Sequence, residues 1–200
     1  MQSANTVDID SHAAVTLRYI RSSMEAAASL AVPGSAGIAM GTVGLMAAAL
    51  ASAPFLHPYW IGIWLMAAVL AAGIGATLLA RGSCPGGLAL SGAPIRRFAL
   101  CLLPSLFAGA VMTAVHWSDG NLHAIPGTWL LLYGCALVAA SAPTTRTFTI
   151  GLLGGVFATL GLLALALPDS LQMLLLGAGF GGLHMVFGLL IGRTDRGRQA

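Results

Sequence analysis

Apolar residues in this chain neither alternate nor recur at the spacing of a half-buried surface helix. They run on. Six runs near the roughly 17 to 25 residues that cross about 30 Å of hydrocarbon as a helix occupy approximately residues 35–53, 59–80, 98–117, 127–142, 147–167 and 171–191. The fourth is the shortest. The breaks carry turn chemistry: Pro54 and Pro58, the stretch from Gly82 to Pro94, Ser118-Asp119-Gly120-Asn121, Pro143, and Pro168-Asp169. This pattern predicts an all-α integral membrane protein with six transmembrane helices at 35–191. A cytoplasmic amino-terminal segment at 1–34 precedes them, and an arginine-rich tail at 192–200 follows.

Ahead of the first run the periodicity changes. Over residues 11–31, Leu17, Ile20, Met24 and Ala27 share one helical face, with Arg18, Arg21 and Glu25 away from it. The expectation is an amphipathic helix on the membrane surface; the alternative is an extension of the first span, broken at Pro33-Gly34. The first ten residues are polar and the first apolar span starts near Ser35, so no secretory signal peptide is expected.

Composition agrees with the pattern: 58% hydrophobic, 8% charged, with a mean hydropathy of +0.89. Charge adds orientation. All nine basic residues are arginines, and the absence of lysine excludes a P-loop and a lysine Schiff base. Arg18 and Arg21 precede span 1, Arg81, Arg96 and Arg97 flank the loop after span 2, Arg146 lies between spans 4 and 5, and Arg193, Arg196 and Arg198 follow span 6. With six spans they share one side, which the positive-inside rule makes cytoplasmic together with both termini. Membrane orientation thus accounts for the basic balance, and no nucleic-acid partner is expected. Tyr59, Trp60, Trp117 and Trp129 mark the opposite interface.

A weak echo relates the two halves. AVPGSAGIAMG (31–41) and AIPGTWLLLYG (124–134) share A-[VI]-P-G-x6-G; SAPFLHPYWIG (52–62) and SAPTTRTFTIG (141–151) share S-A-P-x6-I-G. Three spans per half would make this a 3+3 inverted repeat, an arrangement of many transporters. Alanine and glycine also match cheaply in membrane sequences.

GAGFGGLHMVFGLLIGR (177–193) places one imidazole in a glycine-studded span. At 100° per residue Gly177, Gly181, His184, Gly188 and Gly192 fall within about 60° of one direction, so His184 is expected to face protein. Small residues four apart let helix backbones approach closely, and Gly151, Gly155 and Ala158 of span 5 offer a partner stripe. The imidazole is either a pin in a tight interface or a group facing a cavity or ligand; an intramembrane ionisable residue is a functional candidate by default. At its depth, about 10 Å from the cytoplasmic end, the count along each span also puts Met40, Thr42, Cys101, Ser105 and Cys135. His184, Thr42, Ser105 and Cys135 are the candidate polar intramembrane site. Cysteine, methionine and histidine suit copper(I) or zinc, but none of these residues has metal-motif spacing. His184 with Met40 is a haem alternative.

At the outer rim His57 and His116-x2-Asp119-x3-His123 offer three imidazoles and a carboxylate, a candidate zinc or copper site. The alternative is a span end followed by a simple turn. The chain shows no HExxH, paired carboxylates or Ser/His/Asp set, so enzyme activity is not expected; no cofactor is assigned.

AxPGxxGxAxG before span 1, PGTWLLLYG on span 4 and GFGGLHxVFG on span 6, preceded by Arg18-Tyr19-Ile20-Arg21-Ser22-Ser23-Met24-Glu25, together resemble a family of uncharacterised six-span bacterial inner-membrane proteins. The resemblance covers nearly the whole chain. It implies fold and location, the bacterial cytoplasmic membrane, but no activity, substrate or cofactor.

The functional expectation is a small-molecule or ion passage or binding protein with a polar spot at His184. The scarcity of carboxylates in the spans argues against a proton- or sodium-coupled pump. One alternative is a non-transporting partner or sensor subunit engaging other copies or other proteins through its cytoplasmic face. The other is a haem- or metal-binding membrane protein.

Overall fold

The computed structural model describes residues 14–17, 20, 30–83 and 93–196. They form an all-helical protein with six helices long and apolar enough to span a membrane. These are α1 (Gly34–Ser52), α2 (Trp60–Ser83), α3 (Ala93–Ser118), α4 (Ala124–Ser141), α5 (Thr147–Ala166) and α6. The last is continuous from Gln172 to Arg196 but changes winding twice, at Gly177 and at His184. Helix α4 starts at Ala124, with Pro126 in its first turn, and so reaches 18 residues. Proline is tolerated there because the first helical N–H groups have no intrahelical partner. Pro104 lies inside α3. It removes one backbone hydrogen bond, and α3 continues through it, as helices in membranes can.

Most of the expected amphipathic helix at 11–31 lies outside the described residues; of the part within them, residues 14–17 are helical. The last four tail residues lie outside as well. Leu30 is buried and paired in parallel with Thr144. Its N–H donates to Pro143 O at 2.8 Å, and its carbonyl accepts from Thr145 N–H at 3.1 Å. The entry to α1 is therefore fastened to the α4–α5 turn.

Contacts at the helix ends give the vertical order. Gly34 approaches Gly188 and Gly192, and Arg146 Nη1 donates to Thr194 Oγ1 at 3.0 Å. The start of α1, the α4–α5 turn and the end of α6 thus share one end of the bundle. At the other end Trp60 and Trp129 rings lie 6.1 Å apart, Trp129 Nε1 donates to Thr113 Oγ1 at 2.8 Å, and Gln172 Nε2 donates to His123 O at 2.6 Å. Starting from that second end, α2 brings Arg81 to the first, where Arg96, Arg97, Arg146 and Arg193 also stand. The described arginines gather at one end.

Laterally, α1 packs on α2 and α6, and α4 packs on α3 and α5, while α2 and α3, consecutive in the chain, are not a packed pair. Glycine makes two of these contacts into backbone seams. On α1, a Cβ at Gly37 would come within 2.9 Å of Gly188 Cα, and one at Gly41 within 2.7 Å of Met185 N. On α4, a Cβ at Gly134 would come within 2.6 Å of Gly154 O. Backbone atoms cannot swing aside, so the seams exist only because these positions carry no side chain.

The seams correct one expectation. The partner of the Gly177, Gly181, Gly188 stripe is α1, through Gly34, Gly37, Gly41 and Gly44, and not the stripe of α5. A Cβ on Gly155 would meet open space, and one on Gly151 only the Ser141 side chain at ordinary distance. Gly154 and Gly161 are the α5 glycines pressed against α4. Adjacent residues differ by 100° of rotation, and composition alone does not say which of Gly154 and Gly155 faces inward. At the tail end of the α6 stripe, a Cβ on Gly192 would also meet open space, although its own backbone touches Gly34.

Candidate functional site

The site begins with the winding of α6. Gly177–Leu183 is a π-helix, with hydrogen bonds from i to i+5 in a wider coil that is rare and frequent at functional sites. Four of its seven residues are glycine. They admit neighbours on both sides: Gly181 lies against the α1 backbone at Leu45, and a Cβ on Gly179 would meet Leu130 Cδ2 at 2.5 Å and Phe157 Cε1 at 3.2 Å. The π-segment is wedged between α1 on one side and α4 and α5 on the other. Regular winding resumes at His184.

The His184 ring is 5% exposed and both of its nitrogens are engaged. Nδ1 is 3.1 Å from Phe180 O; a carbonyl only accepts, so Nδ1 carries the proton. In that neutral tautomer Nε2 is bare and accepts from the Tyr133 O–H at 2.8 Å. Aromatic rings enclose the pair. Phe157 stands edge-on to the imidazole at 5.2 Å, Phe180 stacks on it at 6.4 Å, and Tyr133 contacts Phe157 at 4.9 Å and Phe180 at 5.1 Å.

This cluster borders a cavity of about 310 Å³ lined by α1, α2, α3, α4 and α6 and open on one side. Its position follows from the packing: α2 and α3 stand apart, and small side chains at Ala68, Ala72, Ser105 and Gly109 line the space between them. Tyr133, His184 and Trp64 form part of its inner wall. No Asp, Glu, Lys or Arg borders it among the described residues.

The residues expected at the depth of His184 divide. Ser105 and Met40 share the cavity wall with it. Thr42 does not: it is exposed on the outer face of α1, its hydroxyl donating to Ile38 O at 2.9 Å. Cys135 is likewise exposed. Each stands two residues, about 200° of helix, from one that does line the cavity, Met40 and Tyr133 respectively. Cys101 is half-buried, unpaired and off the wall. Met40 reaches the same cavity as His184, but the imidazole nitrogens are occupied by Phe180 and Tyr133.

The outer constellation disperses. His57 Nδ1 donates to Ala51 O at 3.1 Å. Thr128 spends its hydroxyl proton on Ala124 O at 2.8 Å and so accepts from His116 Nε2 at 3.3 Å. His123 precedes α4 without a side-chain capping bond and accepts through its carbonyl from Gln172, and Asp119 is exposed beside Gly120, whose φ of 70° makes the turn. Among the described residues no three His, Cys, Asp or Glu side chains gather to hold a metal.

Reading the sequence for ligands passed over Tyr133 and Trp64. Tyr133 sits seven residues inside α4 from Pro126, away from the interface where tyrosine is usual. Trp64 lies one turn deeper than Trp60. Depth was the available signal in both. Trp64 is 4% exposed and its indole N–H has no hydrogen-bond partner.

Comparison with protein-family models, with curated proteins and with solved structures finds no match.

Proposed function

We propose that this protein binds a small molecule within the membrane, in the cavity between α2 and α3, against the wall formed by Tyr133 and His184. The observation that carries this reading is the cavity itself. Its volume of about 310 Å³ falls in the range of small-molecule sites, which are mostly apolar with a few placed polar groups. Of the functions open to a six-span protein with a polar spot at His184, binding of a neutral molecule suits a wall without formal charge. Passage of an ion calls for rings of charges or carbonyls.

The same reading takes the arginine-bearing end as cytoplasmic with both termini, the location as a bacterial inner membrane in keeping with the motif resemblance, and residues 11–31 as a surface helix. It also takes the halves as a 3+3 inverted repeat. Under that symmetry α1–α2 corresponds to α4–α5 and α1–α6 to α4–α3, and all four pairs are packed. The glycine seams follow a different rule: Gly34 and Gly41 meet α6, whereas their echoes Gly127 and Gly134 meet α5. The repeat is thus one of helix neighbours, with the seams diverged.

The test is extraction. Protein taken from its membrane into lipid nanodiscs without detergent is expected to release a stoichiometric small molecule on denaturation, identified by mass spectrometry. Ala68→Phe and Ala72→Phe, which place bulk on exposed positions lining the cavity, are expected to reduce it. Extracts indistinguishable between wild type and both variants overturn the reading.

A further inference from the structure

Ser105 is the exception among the hydroxyls of the spans. A serine or threonine inside an apolar helix ordinarily turns its hydroxyl back onto a carbonyl one turn earlier. Past the first turn of each span every other described serine and threonine does so, Thr42 to Ile38 O, Thr113 to Gly109 O and Thr159 to Gly155 O among them. Ser105 lies inside α3, one residue after Pro104, and its hydroxyl makes no such bond and no other.

That hydroxyl stands where a ligand can reach it. Ser105, Gly109 and Thr113 form one row along α3, and all three line the cavity. The row turns toward α4: a Cβ on Gly109 would lie 3.8 Å from Leu132 Cδ1, and Thr113 Oγ1 accepts from Trp129 Nε1. Leu103 and Phe107 take the exposed face of the helix instead. Ser105 is half-buried, and its oxygen is not sealed off as the unpartnered Trp64 Nε1 is.

The other polar side chains of the wall are committed or out of reach. Trp64 Nε1 has no open surface. Thr113 donates to Gly109 O at 2.7 Å and accepts from Trp129 Nε1. The His184 Nδ1 proton goes to Phe180 O and the Tyr133 proton to His184 Nε2. Ser105 thus carries the one uncommitted hydroxyl proton of this wall among the described residues. In apolar surroundings a donor without an acceptor is costly, and inside a membrane no bulk water relieves the cost.

We infer that the ligand of this cavity is a neutral, lipid-soluble molecule that offers an oxygen to the Ser105 hydroxyl. The inference rests on the reading of the cavity as a binding site and adds the ligand's chemistry to it. Neutrality follows from the wall, which has no Asp, Glu, Lys or Arg among the described residues, since an ion there would be buried without a partner. Lipid solubility follows from the geometry: α2 and α3, which flank the cavity, do not pack on each other, and Ala68, Ala72 and Ala110 both line it and are exposed. The ligand enters between the two helices from the bilayer.

Two rigid probes test this, fluorenone, which has a carbonyl, and fluorene, which has a methylene in its place, each dissolved in nanodisc lipid. Wild-type protein is expected to bind fluorenone about fivefold tighter than fluorene, the effect of one hydrogen bond. The infrared carbonyl band of bound fluorenone is expected to lie below its position in lipid alone. Ser105→Ala is expected to erase both the preference and the band shift. Should that variant not fold, Ser105→Cys, which keeps the size of the side chain and weakens the donor, is expected to reduce both. Equal affinities in wild type, an unmoved carbonyl band, or a shift as large in the variant as in wild type overturn the inference and leave the binding site standing. If neither probe binds, or binding survives both Ala68→Phe and Ala72→Phe, the binding site falls and this inference with it.

Discussion

Tyr133 and His184 are 51 positions apart in the chain and 2.8 Å apart in space, Oη to Nε2. The bond joins two parts of the bundle that no glycine backbone seam joins. Backbone seams couple α1 to α6 and α4 to α5; between these pairs stand Tyr133, Phe157, Phe180 and His184, ring against ring. A polar contact in an aromatic cluster does there what direct backbone approach does elsewhere.

Losing that hydrogen bond is expected to cost little stability. Interhelical hydrogen bonds in membrane proteins contribute about 0.6 kcal/mol on average, so Tyr133→Phe is expected to stay folded with a small decrease in thermal midpoint. ¹⁵N resonances of wild-type His184 are expected to show a protonated Nδ1 and a bare Nε2, unchanged at Nδ1 in the variant because Phe180 O still accepts. A proton found on Nε2 would reverse the direction of the Tyr133 bond.

The glycines divide sharply in what they tolerate. Gly41→Leu and Gly134→Leu drive a side chain into backbone at Met185 N and Gly154 O, 2.7 and 2.6 Å from the new Cβ. Each is expected to destabilise by about 3 kcal/mol or to prevent folding. Gly155→Leu enters open space and is expected to change stability by no more than about 0.5 kcal/mol. Thermal unfolding monitored by size-exclusion chromatography separates the two; comparable losses at Gly155 and Gly134 would contradict the seam.

Topology is testable with one native cysteine. With Cys101 and Cys135 replaced by alanine, Cys84, between α2 and α3, is expected to react with an impermeant thiol reagent only from the arginine-bearing side. A cysteine in place of Asp119 is expected to react only from the other. Reaction of both from one side would break the six-span arrangement.

The clasp at Leu30 is made by backbone atoms, so proline tests it better than alanine. Leu30→Pro removes the N–H that donates to Pro143 O. Limited proteolysis is expected to cut that variant ahead of α1 faster than Leu30→Ala, which keeps the bond and loses only side-chain packing. Equal rates would mean the hydrogen bond holds nothing in place.

The spans were legible because each is a single long apolar run between breakers, a pattern that no other structure explains. The burial of His184 was legible from the glycines around it. What stayed hidden was rotation. Thr42 and Cys135 match the depth of His184 yet stand on the far faces of their helices, and the spans are apolar on every side, so no polar stripe records which face turns inward. The three outer histidines were hidden differently. Their spacing fits a metal site, but the imidazoles of His57 and His116 engage Ala51 O and Thr128 Oγ1, while His123 bonds Gln172 only through its carbonyl. Tyr133 and Trp64 read as ordinary aromatic residues until a cavity gave them something to face.

The π-segment has a consequence for how this chain tolerates length. An α-helix advances 100° per residue, and Gly177–Leu183 winds more slowly, so the stretch holds surplus backbone that an α-helix of the same height would not need. Deleting one glycine there would let α6 tighten into a regular α-helix without breaking it. The slower winding of the π-segment absorbs its extra residue, so everything after the deletion would turn by only about 30° relative to Gln172. The imidazole would stay near Tyr133 and Gly188 near Ile38. At this point of the molecule substitution is a matter of fit, while the length of the chain has room to give.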